Sequence, residues 1–410
     1  MKSVAATNDK VSNNNYIPDD IVFSILSKLP FKSLKRFECV RKSWSLLFEN
    51  HRFFNMFRNH HFMNLFRNNL LFSSNRCSYY EDASLLLKDY GNGLYSLYGD
   101  KFENKVKLDS PFGNHDSTQY LGFGSINGIL FYSEKYIFWN PATPALKLLP
   151  ESLVYESLDV SEDGCGMIYT STHFNGFGYD DVTNDYKVIR YVSVTGELVG
   201  VQHMSLDVLG YKSLCSFWEI YSLRSDTWRK LETEMPPSLD CFEGSQVYMD
   251  GVCHWFCEED SPDGQCVLVV SFYLSNEVLF VTPIPSDDDY YVFDETSWIN
   301  LVVLNGFIAL FSYHKDTTFH ISILGEFGVE ESWTKLLTVG PLPFVERPIG
   351  VGTKGEIFFV RKDEELVWLD LGTQMIVELG YKVDPNSSRI ITYKESILPF
   401  EGIRDLFFVY

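Results

Sequence analysis

No apolar run in the 410 residues is long enough to cross a bilayer, and the opening MKSVAATNDKVSNNN is polar and rich in Asn. The chain is therefore expected to carry neither a membrane span nor a signal peptide. Cysteine is sparse, eight residues in all, and in an unsecreted chain of this length those are expected to be reduced thiols. This reading places the protein in the cytosol and leaves the nucleus open. Basic residues are scarce too, and unevenly so. Residues 1–67 hold 11 Lys and Arg against 5 Asp and Glu, a net of +6, whereas residues 68–410 hold 23 against 50, a net of −27. An acidic field of that size argues against nucleic acid and anionic membrane as partners, and it speeds encounter with a basic protein. Plain solubility is the competing explanation. No Ser/His/Asp set, close carboxylate pair or cysteine nucleophile stands in a recognisable local frame, so no catalytic residue and no cofactor is expected.

What is present divides in two. Residues 1–15 read as a disordered tail. The next stretch, IPDDIVFSILSKLPFKSLKRFECVRKSWSLL (17–47), is helical in pattern. Asp19 or Asp20 can cap a helix, with Pro18 tolerated at its start. Ile21, Val22, Ile25, Leu26 and Leu29 recur at helical spacing until Pro30 stops the run. A second pattern follows through Leu34, Phe37, Val40, Trp44 and Leu47. Two or three short helices of this kind carry more apolar surface than they can hide among themselves. That surface docks either on the chain's own C-terminal half or on a partner. Phe54, Phe57, Met63 and Phe66 keep helical spacing, so 16–62 reads as a helical domain and 63–83 as a helical linker.

Ile17-Pro18, Leu29-Pro30, Leu34, Arg36-Phe37, Cys39-Val40, Lys42 and Trp44 together resemble the F-box motif. Ile17 stands where the family has Leu, and the pair at 39–40 is inverted, but both changes keep an apolar contact. The resemblance implies a module that binds a Skp-type adaptor, itself held by the cullin and RING subunits of a ubiquitin ligase. It assigns the contact to Ile17, Pro18, Ile21, Ile25, Leu29, Pro30, Leu34, Phe37, Val40 and Trp44. Burying about six large apolar side chains would contribute on the order of 10–15 kcal/mol before the cost of association.

From about Ser84 the hydrophobic period switches to two, and short strands alternate with Gly, Asn, Asp and Pro. Asn127-Gly128, Asp250-Gly251, Asn305-Gly306 and Lys354-Gly355 each set a turn before an apolar strand. A unit of about fifty residues with four strands is a propeller blade of kelch length. Blades near 120–150, 174–235, 244–284, 299–340 and 347–380 give five, and strands from 84–107 and 393–410 would supply a sixth that closes the ring. The expected fold is a helical F-box followed by an all-β propeller of about six blades over 84–410. The phrases Trp139-Asn140-Pro141, Phe177-Gly178-Tyr179-Asp180, Asn184-Asp185-Tyr186 and Gly251-Val252-Cys253-His254-Trp255 resemble the F-box-associated domain of plant F-box proteins. Ser332-Trp333-Thr334-Lys335 and Tyr393-Lys394-Glu395-Ser396 resemble the S-locus subgroup. That resemblance implies a substrate receptor of an SCF-type ligase, not an enzyme, and a basic ribonuclease as substrate in self-incompatibility. A receptor for another target in defence or hormone signalling stays open, as does a propeller binding domain or enzyme outside the ligase system.

Three further constellations are weighed on geometry. Cys253, Cys257 and Cys266 with His254 suggest zinc, but on a strand His254 faces away from Cys253 and Cys257, so no metal is expected. Gly350-x-Gly352-x-x-Gly355 has dinucleotide-loop spacing but runs into a strand where that site needs a helix. Glu258, Glu259 and Asp260, with Asp287, Asp288 and Asp289, are expected in long inter-strand loops. They are either solvated loop or an acidic rim that meets basic groups of a substrate.

Overall fold

Among the described residues, β-branched and aromatic side chains build 23 strands, and these assemble into six antiparallel sheets. The computed structural model describes Ile21, Ile25 and Leu26 and most of residues 84–396, apart from 109–123, 153–164, 199–210, 238–245, 285–297 and shorter breaks. The chain divides into two units, Met1–Leu71 and Phe72–Tyr410. In the first, Ile21, Ile25 and Leu26 are α-helical. The other expected adaptor contacts, Ile17, Pro18, Leu29, Pro30, Leu34, Phe37, Val40 and Trp44, lie outside the described residues.

The second unit is a six-bladed propeller. Its first blade contains β1 (Ser84–Asp89), β2 (Gly93–Tyr98) and β3 (Asn104–Lys107). The second has β4 (Leu130–Tyr132), β5 (Ile137–Trp139) and β6 (Leu146–Leu148), preceded by a bridge between Ile126 and Ile129. The third has β7 (Cys165–Asp180), β8 (Asp185–Leu198), β9 (Tyr211–Ser222) and β10 (Thr227–Lys230). The fourth has β11 (Gln246–Met249), β12 (Val252–Ser261), β13 (Gly264–Tyr273) and β14 (Leu279–Pro283). The fifth has β15 (Trp298–Leu304), β16 (Phe307–Tyr313), β17 (Phe319–Leu324) and β18 (Trp333–Val339). The sixth has β19 (Val345–Val351), β20 (Ile357–Arg361), β21 (Glu365–Leu369) and β22 (Ile376–Lys382). The last strand, β23 (Arg389–Tyr393), returns to pair with β1 through five residue pairs and completes the first blade.

Two expectations need correction here. The closing strand ends at Tyr393 instead of beginning there, because Ile390 and Ile391 are the apolar pair that two neighbouring blades bury. The third blade begins at Cys165, nine residues ahead of the expected 174, because the uncharged run Ile168–His173 keeps pairing with β8 beyond the ring. Two of the expected turn pairs are in place, while Asn305 and Lys354 of the other two lie outside the described residues. Asn127 and Gly128 both have positive φ, 52° and 83°, as do Asp250 and Gly251, 50° and 80°. Such turns match the twist of the strands they join.

Wedges of aromatic and aliphatic side chains fill the spaces between blades. Phe131 and Phe138 meet Phe177 and Tyr221 between the second and third blades, and Trp218 meets Trp255 between the third and fourth. The phrase around Gly178 owes its glycine to this closeness: a Cβ there would lie 2.5 Å from Leu274 Cδ1. Two tryptophans stitch blades in the same manner. Trp228 Nε1 donates to the Pro150 carbonyl and Trp333 Nε1 to that of Pro283, each at 2.9 Å, contributing about 1 kcal/mol apiece. Between the second and third blades Arg190 and Glu219 form a fully buried ion pair at 2.5 Å. Glu219 also accepts from the Ser152 hydroxyl, and the guanidinium lies 3.9 Å from the Trp228 ring centre.

Candidate interaction surface

The innermost strands run side by side in one direction. Gln246 at the start of β11 donates to the Phe174 carbonyl of β7, and the Tyr248 hydroxyl, further along, donates to that of Tyr179. Connections therefore alternate between two faces of the ring. First-to-second and third-to-fourth strand connections lie on one, the turn face; second-to-third and inter-blade connections lie on the other, the connection face. β1 begins and β23 ends at the turn face, where Asn140 Nδ2 donates to the Ser396 carbonyl.

The turn face is built from short, tied turns. Burial alone would push the Asp180 carboxyl up, but the Lys187 ammonium, the Thr183 hydroxyl and the Val182 N–H outweigh it and hold the group below its usual range. The ion pairs Lys187–Asp180, Lys147–Asp226 and Arg229–Glu277 all lie at such turns.

The connection face differs in both length and charge. Its six long segments, 109–123, 149–164, 199–210, 231–245, 258–265 and 285–297, together hold 79 residues with 21 Asp and Glu and neither Lys nor Arg. With 34 Lys and Arg in 410 residues, an even spread would put about seven there. These segments join strands of the second, third and fourth blades to one another and to their neighbours. The shorter connections of the same face carry Lys135, Lys315 and Lys362. The acidity is therefore concentrated in the sequence that joins the connection-face strand ends of these three blades.

Glu258, Glu259 and Asp260 are not in a loop. They lie in β12, paired with Val267, Cys266 and Gln265 of β13. The correction has a simple cause: the apolar run of β13 supports pairing for several residues past the ring, so acidic residues are carried on strand instead of coil. Glu259 is exposed there. Asp287, Asp288 and Asp289 lie outside the described residues, in the segment that follows β14. The first acidic set thus belongs to the fourth blade, at the connection-face end of β12. Sequence reasoning missed the contribution of Glu151, Glu232 and Glu234, all exposed at the same face. The absence of Lys and Arg from the long segments was readable, but only the strand order shows that those segments join strand ends of one face.

Cys253, Trp255 and Cys257 point into the wedge between the third and fourth blades, where burial pushes the Cys253 thiol well above its ordinary range. His254 lies on the other face of β12, sharing a 2.9 Å hydrogen bond with Ser271 and meeting the Phe327 ring edge-on. Gly350 lies in β19 and Gly355 precedes β20, so that glycine run is a strand hairpin. Among the described residues no group of His, Cys, Asp and Glu is placed to hold a metal.

A closed ring of six small antiparallel sheets is the architecture of a β-propeller. Residues 93–393 match the family described as the F-box associated beta propeller domain, and the chain belongs to it. F-box protein CPR1 of Arabidopsis thaliana is 25% identical over 392 residues, covering 90% of this chain and 86% of its own. F-box/kelch-repeat protein At3g23880 of the same plant is 24% identical over 349 residues, covering 84% and 85%. F-box protein At4g22390 is 25% identical over 336 residues, covering 75% and 77%. These relatives are named as F-box proteins, and with the family match the chain is not an enzyme.

Proposed function

We propose that the chain is the substrate receptor of an SCF-type ubiquitin ligase. Residues 16–62 dock a Skp-type adaptor that carries the cullin and RING subunits, 63–83 link the two units, and the acidic connecting segments bind a basic protein substrate. The receptor breaks no bond. It raises the concentration of substrate lysines near the ubiquitin carrier, in the cytosol or the nucleus. The charge of the long connecting segments, 21 Asp and Glu with neither Lys nor Arg, is the observation that supports this reading best, because solubility alone would not sort charge in this way. Ile21 and Ile25, four residues apart and so on one helical face, are 50% and 51% exposed, while Leu26 is buried. An apolar pair left in solvent is what a docking helix offers a groove.

The finer reading, by resemblance to the S-locus subgroup, is that the substrate is a basic pistil ribonuclease. The acidity of the connecting segments supports a basic partner of that kind. The tagged chain purified from plant tissue with the proteasome blocked is expected to bring a Skp-type adaptor with it. The adaptor should vanish with Pro18→Ala combined with Leu34→Ala, and with Ile21→Glu combined with Ile25→Glu. Retention of the adaptor by both variants would sink the docking assignment.

A further inference from the structure

The outermost strand of a blade has one side without a strand neighbour, and proteins ordinarily blunt such an edge with charge, proline or a bulge. Among the described residues five of these strands carry charge: Lys105 and Lys107 in β3, Lys147 in β6, Arg229 and Lys230 in β10, Lys335 in β18, and Glu378 and Lys382 in β22. β14 has none, and its proline stands at the far end. Two hydrogen bonds to β13 fix the direction of its main-chain groups. The Tyr273 N–H donates to the Val278 carbonyl at 2.9 Å, and the Ile284 N–H to that of Val267 at 3.3 Å. These groups alternate along an antiparallel ladder, so those of Val278, Phe280, Thr282 and Ile284 face β13, and those of Leu279, Val281 and Pro283 face outward. The Pro283 carbonyl takes the Trp333 indole N–H, which closes the connection-face end of the edge. The N–H and C=O groups of Leu279 and Val281 have no hydrogen-bond partner among the described residues, and both side chains are half-buried. Val278 beside them is 45% exposed.

We propose that the edge of β14 from Val278 to Val281 takes an extended, Lys- or Arg-bearing segment of the substrate as a fifth strand of the fourth blade. This rests on the receptor reading and specifies where and how the substrate is held. The outward N–H and C=O of Leu279 and of Val281 supply attachment without sequence preference, and the charge beside them supplies selection. On the side of the third blade, Met235 packs into the same wedge as Leu279 and Val281, and its segment, 231–237, bears Glu232 and Glu234, both exposed. On the side of the fifth, the Gly328 N–H donates to the Thr282 hydroxyl at 2.7 Å. The segment around Gly328, 325–332, bears Glu326, Glu330 and Glu331, the last two exposed. Neither segment has Lys or Arg. Arg229, which reaches this blade from β10, is held by Glu277. Five carboxylates thus stand against Lys335 of β18. A second copy of the chain is the wrong occupant, since antiparallel pairing of two β14 edges would set each acidic flank opposite its own copy.

The test uses the full chain and three capped octapeptides: Lys alternating with Val, the same with two Val replaced by Pro, and Glu alternating with Val. Amide exchange read by mass spectrometry should slow in 278–282 with the Lys peptide and stay unchanged in 268–272 of β13. The Pro-bearing and Glu-bearing peptides should each bind at least about tenfold more weakly, the first through missing strand bonds and the second through charge. Val281→Pro removes an outward N–H and leaves the ladder to β13 its donors, a placement that edge strands tolerate, so it should lose the peptide. Glu330→Lys combined with Glu331→Lys leaves the edge itself intact and should weaken the Lys peptide while strengthening the Glu peptide. If Val281→Pro does not fold, this charge reversal and the exchange pattern decide the matter. Binding of either control peptide as tight as that of the Lys peptide, protection elsewhere than β14, no binding at about 1 mM Lys peptide, or a dimer that Val281→Pro dissolves would each overturn the proposal. Adaptor co-purification is scored on the same samples. If the adaptor is absent while β14 is protected, the receptor reading falls alone; if it is present and β14 is unprotected, the strand site falls alone.

Discussion

Asp180 shows how a single side chain earns its place in a blade. Its carboxylate ends β7, caps the following turn through the Val182 N–H and the Thr183 hydroxyl, and holds Lys187, which reaches on to the Leu274 carbonyl of the next blade. Burial opposes the charge and these partners outweigh it, so the folded group titrates below the unfolded one. Its stabilising contribution is therefore complete above the unfolded value, about 4, and is lost as pH falls through the lower folded value. Asp180→Asn should cost about 1–3 kcal/mol at pH 7. The gap to the natural chain should close at low pH, as urea midpoints at pH 7 and below pH 4 would show. A constant gap would mean that Asp180 acts by shape alone. Arg190 and Glu219 follow a different logic, since truncating either one alone strands a buried charge, at about 3–5 kcal/mol.

At the scale of elements, the hairpins were the most legible part of the chain. Asn-Gly and Asp-Gly before apolar alternation specify a tight turn by backbone chemistry alone, and Asn127-Gly128 and Asp250-Gly251 adopt it. Strand ends were less legible where strands outrun the ring. Nothing local distinguishes Ile168–Thr172 from a loop until β8 pairs with it, and Glu258–Asp260 look like loop because charge is rare in buried strands. The closing strand was misplaced for a related reason: its partner is about 300 residues away, beyond any local pattern. Its weight can be measured. Ile390 enters the wedge with the sixth blade and Ile391 that with the second. Changing each to Ala should cost about 2–5 kcal/mol. The double variant is expected to lower the urea midpoint and to shift away from the natural chain's elution position on gel filtration. Ile376→Ala, at an exposed position, should do neither.

For the whole molecule, charge is sorted by domain and then by segment. The first 67 residues are net basic, and the propeller gathers acid in the long segments that join its connection-face strand ends. Charge totals were open to inspection in the sequence, whereas finding which strand ends the acidic segments join needed the strand order. Replacing Asp287, Asp288 and Asp289 by Asn should weaken binding of a basic protein and flatten its dependence on salt between about 50 and 200 mM, with the loss falling mainly on the association rate. Adaptor capture should be unchanged. A salt-independent affinity in the natural chain would remove the electrostatic account of these segments.

The pairing of β23 with β1 also sets a clock. While the chain is being made, β1 emerges roughly 15–60 s before its last partner, at ordinary rates of synthesis. Through that interval the first blade is a three-stranded sheet with a bare side, and the newborn protein depends on whatever the ribosome and its attendant chaperones can shield. A premature stop between β1 and residue 389 would leave that side bare for good, so truncated products of this gene should be cleared or aggregate instead of persisting as smaller propellers.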